Sequence, residues 1–117
     1  FTDMDYLHAA LLLTRVVSKP ADDLICIDLG HKAVGSEMPQ PRIKILGIDN
    51  YTICGHNEEH MVVKIPGRAK HEVGDALYAI PYHICPTVDR YDKVYVVSNG
   101  MVEEEWDVTA RRREITI

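Results

Sequence analysis

The sequence predicts a mainly β domain, a small closed or partly open β-barrel of about seven to nine strands. Short apolar and β-branched segments recur along the chain and are separated by Gly, Pro, Asn and Asp. The clearest turn is Ser98-Asn99-Gly100, because Asn-Gly readily takes positive φ at both central residues of a tight hairpin. Many short strands with regular turn signals are typical of a barrel.

The first element is ambiguous in its periodicity. Residues 11–18 fit either a helix stripe or a strand that is buried on both faces. The loop at 19–23 and the apolar run at 24–28 favour a hairpin of two strands. The other predicted strands are 42–47, 51–54, 60–65, 76–80, 93–97 and 102–110, with a possible last one at 113–117.

Composition indicates one domain over residues 1–117, with ordinary soluble character: 46% hydrophobic and 26% charged residues. The net charge is -5 and the basic residues are scattered, so we expect no nucleic-acid partner. No apolar run approaches the ~20 residues of a membrane span, and no signal peptide is recognisable. An odd number of cysteines, three, favours reduced thiols and a cytoplasmic location. Because the chain starts at Phe1, we expect it to be part of a longer protein.

The segment Tyr82-His83-Ile84-Cys85-Pro86-Thr87 places an imidazole and a thiol two residues apart after a predicted strand. On extended backbone, residues i and i+2 project to the same side. We therefore expect His83 and Cys85 to converge on one soft or borderline metal ion, with Pro86 ending the strand pairing. Two protein ligands would leave coordination positions open, as in catalytic zinc sites. The alternative is a buried cysteine beside an incidental histidine.

Several segments resemble, in order, the C-terminal region of the D-serine dehydratase and D-threonine aldolase family. Those are pyridoxal-phosphate enzymes of the alanine-racemase fold type, and the resemblance implies a C-terminal barrel of that type. The matching segments are Thr14-Arg15-Val16-Val17-Ser18-Lys19-Pro20, Asp28-Leu29-Gly30-His31-Lys32-Ala33-Val34, Asn57-Glu58-Glu59-His60, Val73-Gly74-Asp75, Ile80-Pro81-Tyr82-His83-Ile84-Cys85-Pro86-Thr87-Val88, Tyr95-Val96-Val97 and Trp106-Asp107-Val108-Thr109-Ala110-Arg111.

The resemblance implies a divalent metal held by a histidine and by the residue two places on. Dehydratase-like members carry cysteine there with zinc, and aldolase-like members carry aspartate with magnesium or manganese. His83 and Cys85 match the zinc version, and thiolate softness agrees with it. The resemblance places the pyridoxal-phosphate lysine and the catalytic residues on a missing N-terminal (β/α)8 barrel, so we expect none of them here.

We therefore expect this chain to be the metal-bearing domain of a larger lyase. The full protein would bind a D-amino acid and eliminate the β-hydroxyl of D-serine or D-threonine, and the resemblance implies a homodimer. Alone, this domain is expected to be inactive. Retro-aldol cleavage, amino-acid racemisation and a stand-alone barrel that binds a metal or a partner protein stay open as alternatives.

Three residues are candidates for supporting groups or for the substrate's vicinity: Glu59, His60 and Tyr82. A ligating histidine usually donates its second N–H to a carboxylate, which Glu59 could supply. A polar turn at Glu59 and His60, and core packing of Tyr82, are the alternatives. We also expect Trp106 to anchor the barrel core and His56 to lie exposed in a loop.

Overall fold

The computed structural model describes residues 8–112 and 114–115, which form a mainly β structure. Within this part of the chain there are eight strands, one short helix and one 3-10 turn. The elements are β1 (Leu12–Ala21), β2 (Leu24–Ile27), β3 (Ile43–Ile45), β4 (Thr52–His56), β5 (Met61–Lys64), β6 (Ala76–Pro81), α1 (Cys85–Val88), β7 (Lys93–Ser98), β8 (Met101–Asp107) and the 3-10 turn Thr109–Arg111.

Six of the strands form one antiparallel sheet in the order β3-β6-β1-β2-β5-β4. The sheet curls around a single core, with β3 and β4 as its two edges. The hydroxyl of Tyr51, just before β4, accepts a hydrogen bond from Ile45 N at 2.9 Å and links the two edge strands. β7 and β8 form a separate two-stranded ribbon. The predicted partly open barrel is confirmed.

The first element is a strand, as the hairpin interpretation predicts. β1 pairs with β2 on one side and with β6 on the other. Leu12, Thr14 and Val16 face the core and the residues between them are exposed, so β1 is buried on one face and not on both as expected. The buried Thr14 hydroxyl donates a hydrogen bond to the Asp28 carboxylate at 2.5 Å. This bond offsets the cost of placing a polar group in the interior.

The core is aliphatic and is built from alternate residues of the curled sheet. Inward positions along each strand are almost fully buried, as the two-residue period of extended backbone requires. The buried hydrophobic residues are Leu12, Val16, Ile25, Ile27, Leu29, Val34, Ile43, Ile45, Met61, Val63, Ala69, Leu77 and Ala79. Because β1, β2, β5 and β6 all contribute, the core fixes the end of β6, after which the candidate metal motif, Tyr82–Thr87, begins.

The β7–β8 ribbon projects away from this core. Its turn has Asn99 at φ 52° and Gly100 at φ 76°, which confirms the predicted tight hairpin. Every residue of β8 is exposed, and Trp106 is 57% exposed. The prediction that Trp106 anchors the barrel core is therefore wrong. Trp106 pairs with Val94 on the ribbon, and neither strand of the ribbon joins the six-stranded sheet.

The C-terminal part of the sequence departs from prediction. The expected strand 102–110 ends at Asp107, and a 3-10 turn follows at Thr109–Arg111. The possible strand 113–117 includes residues 113, 116 and 117, which lie outside the described residues. None of the helices in the described part of the chain has the length and apolar character that a bilayer crossing demands.

Two leucines on paired strands test the inward and outward faces of the sheet. Leu77 on β6 is 5% exposed and Leu13 on β1 is 56% exposed. We expect Leu77→Ala to lower the free energy of unfolding by about 2–5 kcal/mol, because it leaves a cavity. The same change at Leu13 should cost less than about 1 kcal/mol. Urea unfolding of both variants measures this difference, and equal losses would contradict the assigned faces.

Candidate metal site

The His83–Cys85 segment is not extended, contrary to the sequence-based expectation. β6 ends at Pro81, and Ile84 has the helical dihedrals φ -71° and ψ -32°. Cys85 is the first residue of α1, so the alternation of a strand does not apply between it and His83. The cause is Pro86, which lies in the first turn of α1, where proline is well tolerated. Pro86 starts a helical turn here instead of ending a strand pairing.

Both side chains are nevertheless accessible to a ligand. The His83 side chain is 47% exposed and Cys85 is also exposed, so neither is sealed in the core. The Cα atoms of residues two apart lie within about 7 Å of each other, whatever their backbone conformation. This separation is within the reach of one ion bound by both. In the described part of the chain no cluster of three or more His, Cys, Asp or Glu could hold a metal. The pair would therefore supply two protein ligands.

Thr87 fixes the backbone of this segment. Its side chain is almost fully buried, and its hydroxyl donates to the His83 carbonyl at 2.7 Å. The same hydroxyl accepts a hydrogen bond from the Gly35 N–H at 2.8 Å. Thr87 therefore joins the metal motif to a loop 52 residues earlier. Sequence reasoning missed this role, because the signal is only a threonine in a short helical turn.

Gly35 allows the close approach that this bond requires. A Cβ atom at Gly35 would lie 2.7 Å from Pro86 Cγ and 3.1 Å from both the His83 carbonyl oxygen and Thr87 Oγ1. A contact of 2.7 Å is too short for real carbon atoms, so any larger residue would push the loop away from α1. The absence of a side chain at Gly35 thus brings the loop against the motif.

Residues after α1 hold the preceding part of the same loop. Arg90 Nε donates to the His31 carbonyl at 2.8 Å, and the Tyr91 hydroxyl donates to the Ala33 carbonyl at 2.7 Å. Burial raises the pKa of the Tyr91 hydroxyl, and the nearby Asp28 carboxylate adds to this. The hydroxyl therefore stays protonated and able to donate. Together with Thr87, these bonds fix the loop on which the next residue of the site lies.

Glu37 is the carboxylate that the structure brings to His83. One oxygen of Glu37 contacts His83 Nδ1, and this hydrogen bond lowers the pKa of the Glu37 carboxyl. The two residues are 46 positions apart, so no local pattern could pair them. An open groove of about 370 Å³ lies beside the pair. It is lined by Gly35, Met38, Pro39, Pro41, Arg42, Tyr82 and His83.

The other three candidate residues lie in two places. Tyr82 is 60% exposed and lines the groove beside His83, so it does not pack in the core. Glu59 lies in the turn between β4 and β5, where its carboxylate pairs with Lys32 Nζ at 2.5 Å. This contact lowers the pKa of Glu59 and raises that of Lys32. In the same turn, the N–H of His60 donates to the side chain of Asn57 at 2.8 Å.

His56 is not an exposed loop residue as the sequence suggested. It lies on β4, half-buried, with its ring 4.5 Å from the His31 ring in an edge-on contact. Arg42 Nη1 donates to His56 Nδ1 at 2.8 Å, so Nε2 carries the proton and donates to the Leu29 carbonyl at 3.0 Å. Burial lowers the pKa of His56, and His31 and Arg42 lower it further. Both nitrogens are used, so His56 serves to hold Arg42.

All three cysteines lie in the described part of the chain and are free thiols. Cys54 is exposed. It lies on the edge strand β4, where the sheet does not cover it. Cys54 is therefore an exposed thiol like Cys85, but it lies away from the His83 segment.

Comparison with known proteins places this chain in a family. The family described as "Putative serine dehydratase domain" matches residues 9–97, which include His83 and Cys85. The chain belongs to this family. The match covers the six-stranded sheet, α1 and most of β7, so the family's domain includes both the barrel and the site.

The relatives most informative for this chain fall into two length classes. The chain is 35% identical over 105 residues to D-threonine aldolase of Arthrobacter sp., which covers 89% of this chain and 27% of that protein. It is 33% identical to 3-hydroxy-D-aspartate aldolase of Paracoccus denitrificans, covering 26% of it. The chain thus spans about a quarter of these aldolases. An uncharacterized protein of Mycobacterium tuberculosis is 30% identical, and the chain covers 80% of it.

Solved structures show the same fold. The D-threonine aldolase of Filomicrobium marinum matches 92% of this chain with a TM-score of 0.83 and 22% identity. A metal-free mutant of D-threo-3-hydroxyaspartate dehydratase matches 83% of this chain with a TM-score of 0.65 and 16% identity. This chain corresponds to about 30% of each of those chains. The partly open barrel is therefore the fold of one region of larger enzymes.

The Thr87 hydroxyl is the part of the site most easily tested. We expect Thr87→Val to lower the free energy of unfolding by about 1–3 kcal/mol, because it leaves the buried Gly35 N–H without an acceptor at nearly unchanged volume. Hydrogen exchange of the Gly35 amide should also accelerate. Thr52→Val, on the exposed face of β4, is the matched control and should change little. An unaltered Gly35 exchange rate in the Thr87 variant would contradict the bridge.

Proposed function

We propose that this chain is the metal-bearing C-terminal domain of a pyridoxal-phosphate-dependent lyase that acts on 3-hydroxy D-amino acids. The observation that carries the proposal is an accessible imidazole and thiol two residues apart, backed by Glu37, in a chain of this family. Relatives named for their substrates act on D-threonine and 3-hydroxy-D-aspartate. Both compounds carry a hydroxyl on the β-carbon, which defines the proposed substrate class.

His83 and Cys85 are the residues that would hold the metal. An imidazole with a thiolate favours zinc over the harder ions magnesium and manganese. Solved variants of D-threo-3-hydroxyaspartate dehydratase replace a histidine and, two positions later, a cysteine with alanine. The cysteine variant is in a metal-free form, and its spacing equals that of His83 and Cys85. Zinc, when bound, supplies a Lewis acid that polarises the oxygen of a leaving hydroxyl.

The residues around the pair would position the substrate's β-hydroxyl and restrict water. The groove beside His83 has an apolar wall formed by Met38, Pro39 and Pro41. Tyr82, the residue before His83 in the sequence, also lines the groove. Arg42 is engaged by His56 and by the Met38 carbonyl, so it shapes the groove and is not free to bind a carboxylate. Recognition of the amino-acid part of the substrate is therefore assigned to the rest of the enzyme.

The rest of the enzyme is proposed to be an N-terminal (β/α)8 domain that carries pyridoxal phosphate. The cofactor supplies the electron sink for loss of the α-proton. The outer face of β1 and β6 exposes a stripe of apolar side chains, and exposed stripes of this kind mark protein contacts. The stripe consists of Leu11, Leu13, Val17 and Tyr78. We assign the larger domain to this face, with a cytoplasmic homodimer as the assembled form.

Two reactions compete for the assignment. The His-x-Cys spacing, shared with the dehydratase variants, favours elimination of the β-hydroxyl. The 35% identity to a D-threonine aldolase favours retro-aldol cleavage instead. We assign elimination first, because the second ligand helps to select the metal that would polarise the reacting hydroxyl, whereas the overall identity is spread over 105 residues.

A second candidate is a stand-alone barrel that binds a metal or a protein partner without catalysis. The observation in its favour is the Mycobacterium tuberculosis relative, of which this chain covers 80%. A protein of that length leaves little room for a (β/α)8 domain. In this case the same His83–Cys85 pair would bind metal, but no lyase activity would accompany it.

Metal binding by the 117-residue chain is the first test. We expect zinc to bind with one ion per chain, and His83→Ala or Cys85→Ala to weaken it by more than about 100-fold, since each removes a ligand and not merely its support. Competition against a chromophoric chelator measures the affinity. Cys54→Ala removes an equally exposed thiol and should leave zinc affinity unchanged. Wild-type affinity in both ligand variants would refute the metal assignment.

The reaction is tested on the longer protein that contains this domain. With D-threonine we expect 2-oxobutyrate and ammonia, because elimination of the hydroxyl gives an enamine that hydrolyses. D-Serine should give pyruvate. Cys85→Ala should reduce both by at least about tenfold, which is 1.4 kcal/mol of barrier. Glycine with acetaldehyde from D-threonine would establish the aldolase instead, and no turnover of either compound would favour the stand-alone barrel.

A further inference from the structure

We propose that Glu37 is a positioning residue that fixes the proton of His83 on Nδ1 and so presents Nε2 as the only nitrogen able to bind a metal. The assignment of a metal rests on the proposed function, but the choice of nitrogen does not. It follows from the position of the Glu37 carboxylate alone.

The contact between Glu37 and His83 determines the tautomer. The Glu37 oxygen lies against Nδ1 of His83. An ionised carboxylate can only accept hydrogen bonds, so this contact places the proton on Nδ1. A neutral imidazole then has its free lone pair on Nε2, which is the atom that coordinates. Glu37 therefore takes the orienting role that the sequence-based expectation gave to Glu59.

The loop that carries Glu37 is anchored on both sides. Before Glu37, the Gly35 N–H is held by Thr87. After it, the Arg42 carbonyl accepts from Tyr82 N at 3.0 Å, and Arg42 Nε donates to the Met38 carbonyl at 2.7 Å. Two of these anchors reach the motif, at Thr87 and at Tyr82, and the third joins two residues of the loop itself. An exposed ion pair is weak by itself, so these anchors are what keep Glu37 at His83.

No basic side chain diverts Glu37 from His83 in the described part of the chain. Its side-chain hydrogen-bond partner there is His83, whereas Lys32 pairs with Glu59. Arg90 is close enough to favour the charged form of Glu37, yet its own hydrogen bonds go to the His31 carbonyl and to Asp89. The carboxylate can therefore accept the hydrogen bond of the His83 imidazole without competition from a basic side chain.

The tautomer is measured directly by nitrogen NMR of the metal-free 117-residue chain, under alkaline conditions in which imidazoles are neutral. We expect the Nδ1–H form at His83 in the wild type and a shift toward the Nε2–H form in Glu37→Ala. Glu37→Gln keeps an oxygen that can accept from Nδ1 and should retain most of the Nδ1–H form. An Nε2–H form in the wild type, or an unchanged tautomer in Glu37→Ala, overturns the proposal.

Zinc affinity gives the second readout. Loss of an orienting carboxylate costs about 10–100-fold in metal affinity. We expect a loss of this size for Glu37→Ala, whereas the zinc affinity of Glu37→Gln should be much closer to that of the wild type. Glu72→Ala removes a carboxylate of equal charge that is 77% exposed and 3.8 Å from Lys19 Nζ, and it should have no effect. If Glu37→Ala and Glu37→Gln both abolished zinc binding, Glu37 would itself be a metal ligand, and the positioning role would be overturned. A wild type that binds no zinc defeats the proposed function, and the tautomer measurement then decides this inference separately.

Discussion

The arrangement of the site depends on one buried hydroxyl. Thr87 donates to the His83 carbonyl and accepts from the Gly35 N–H, so two segments that are distant in the sequence share one hydrogen-bonding group. The bond is short-ranged and requires Gly35 to lack a side chain. Because Glu37 follows Gly35 by two residues, the same contact that shapes the His83 backbone also delivers the carboxylate to its ring.

This dependence separates the roles of the core and of the surface. The aliphatic core fixes where β6 ends, and packing of this kind contributes most of the stability. The proposed ligands His83 and Cys85 remain exposed, where an ion can reach them, and the exposed contact of His83 with Glu37 contributes little to folding. A site of this type can therefore change its chemistry through one side chain without disturbing the barrel. Relatives of this chain are named as aldolases, and a dehydratase shares its fold, which fits such a division.

Much of the fold could be predicted from the sequence, because its signals are local. The strand β1 and the Asn99-Gly100 turn follow from neighbouring residues, and both were predicted, although β1 is buried on one face and not on two as expected. Trp106 was assigned wrongly, since aromatic residues are usually core residues, whereas the two-stranded ribbon that carries it is separate from the six-stranded sheet and leaves Trp106 exposed. The site was harder. The spacing of His83 and Cys85 made them candidate ligands, but Pro86 converts the expected strand end into a helical turn, and Glu37 and Thr87 act across contacts that no local pattern encodes.

The central claim is that His83 and Cys85 bind the same ion at the accessible end of β6. X-ray absorption at the zinc edge of the loaded chain tests it without reference to catalysis. The account predicts one sulfur neighbour at about 2.3 Å and one imidazole nitrogen at about 2.0–2.1 Å, with the remaining donors light atoms from solvent. A spectrum without sulfur, or one with two or more sulfur neighbours, would contradict it.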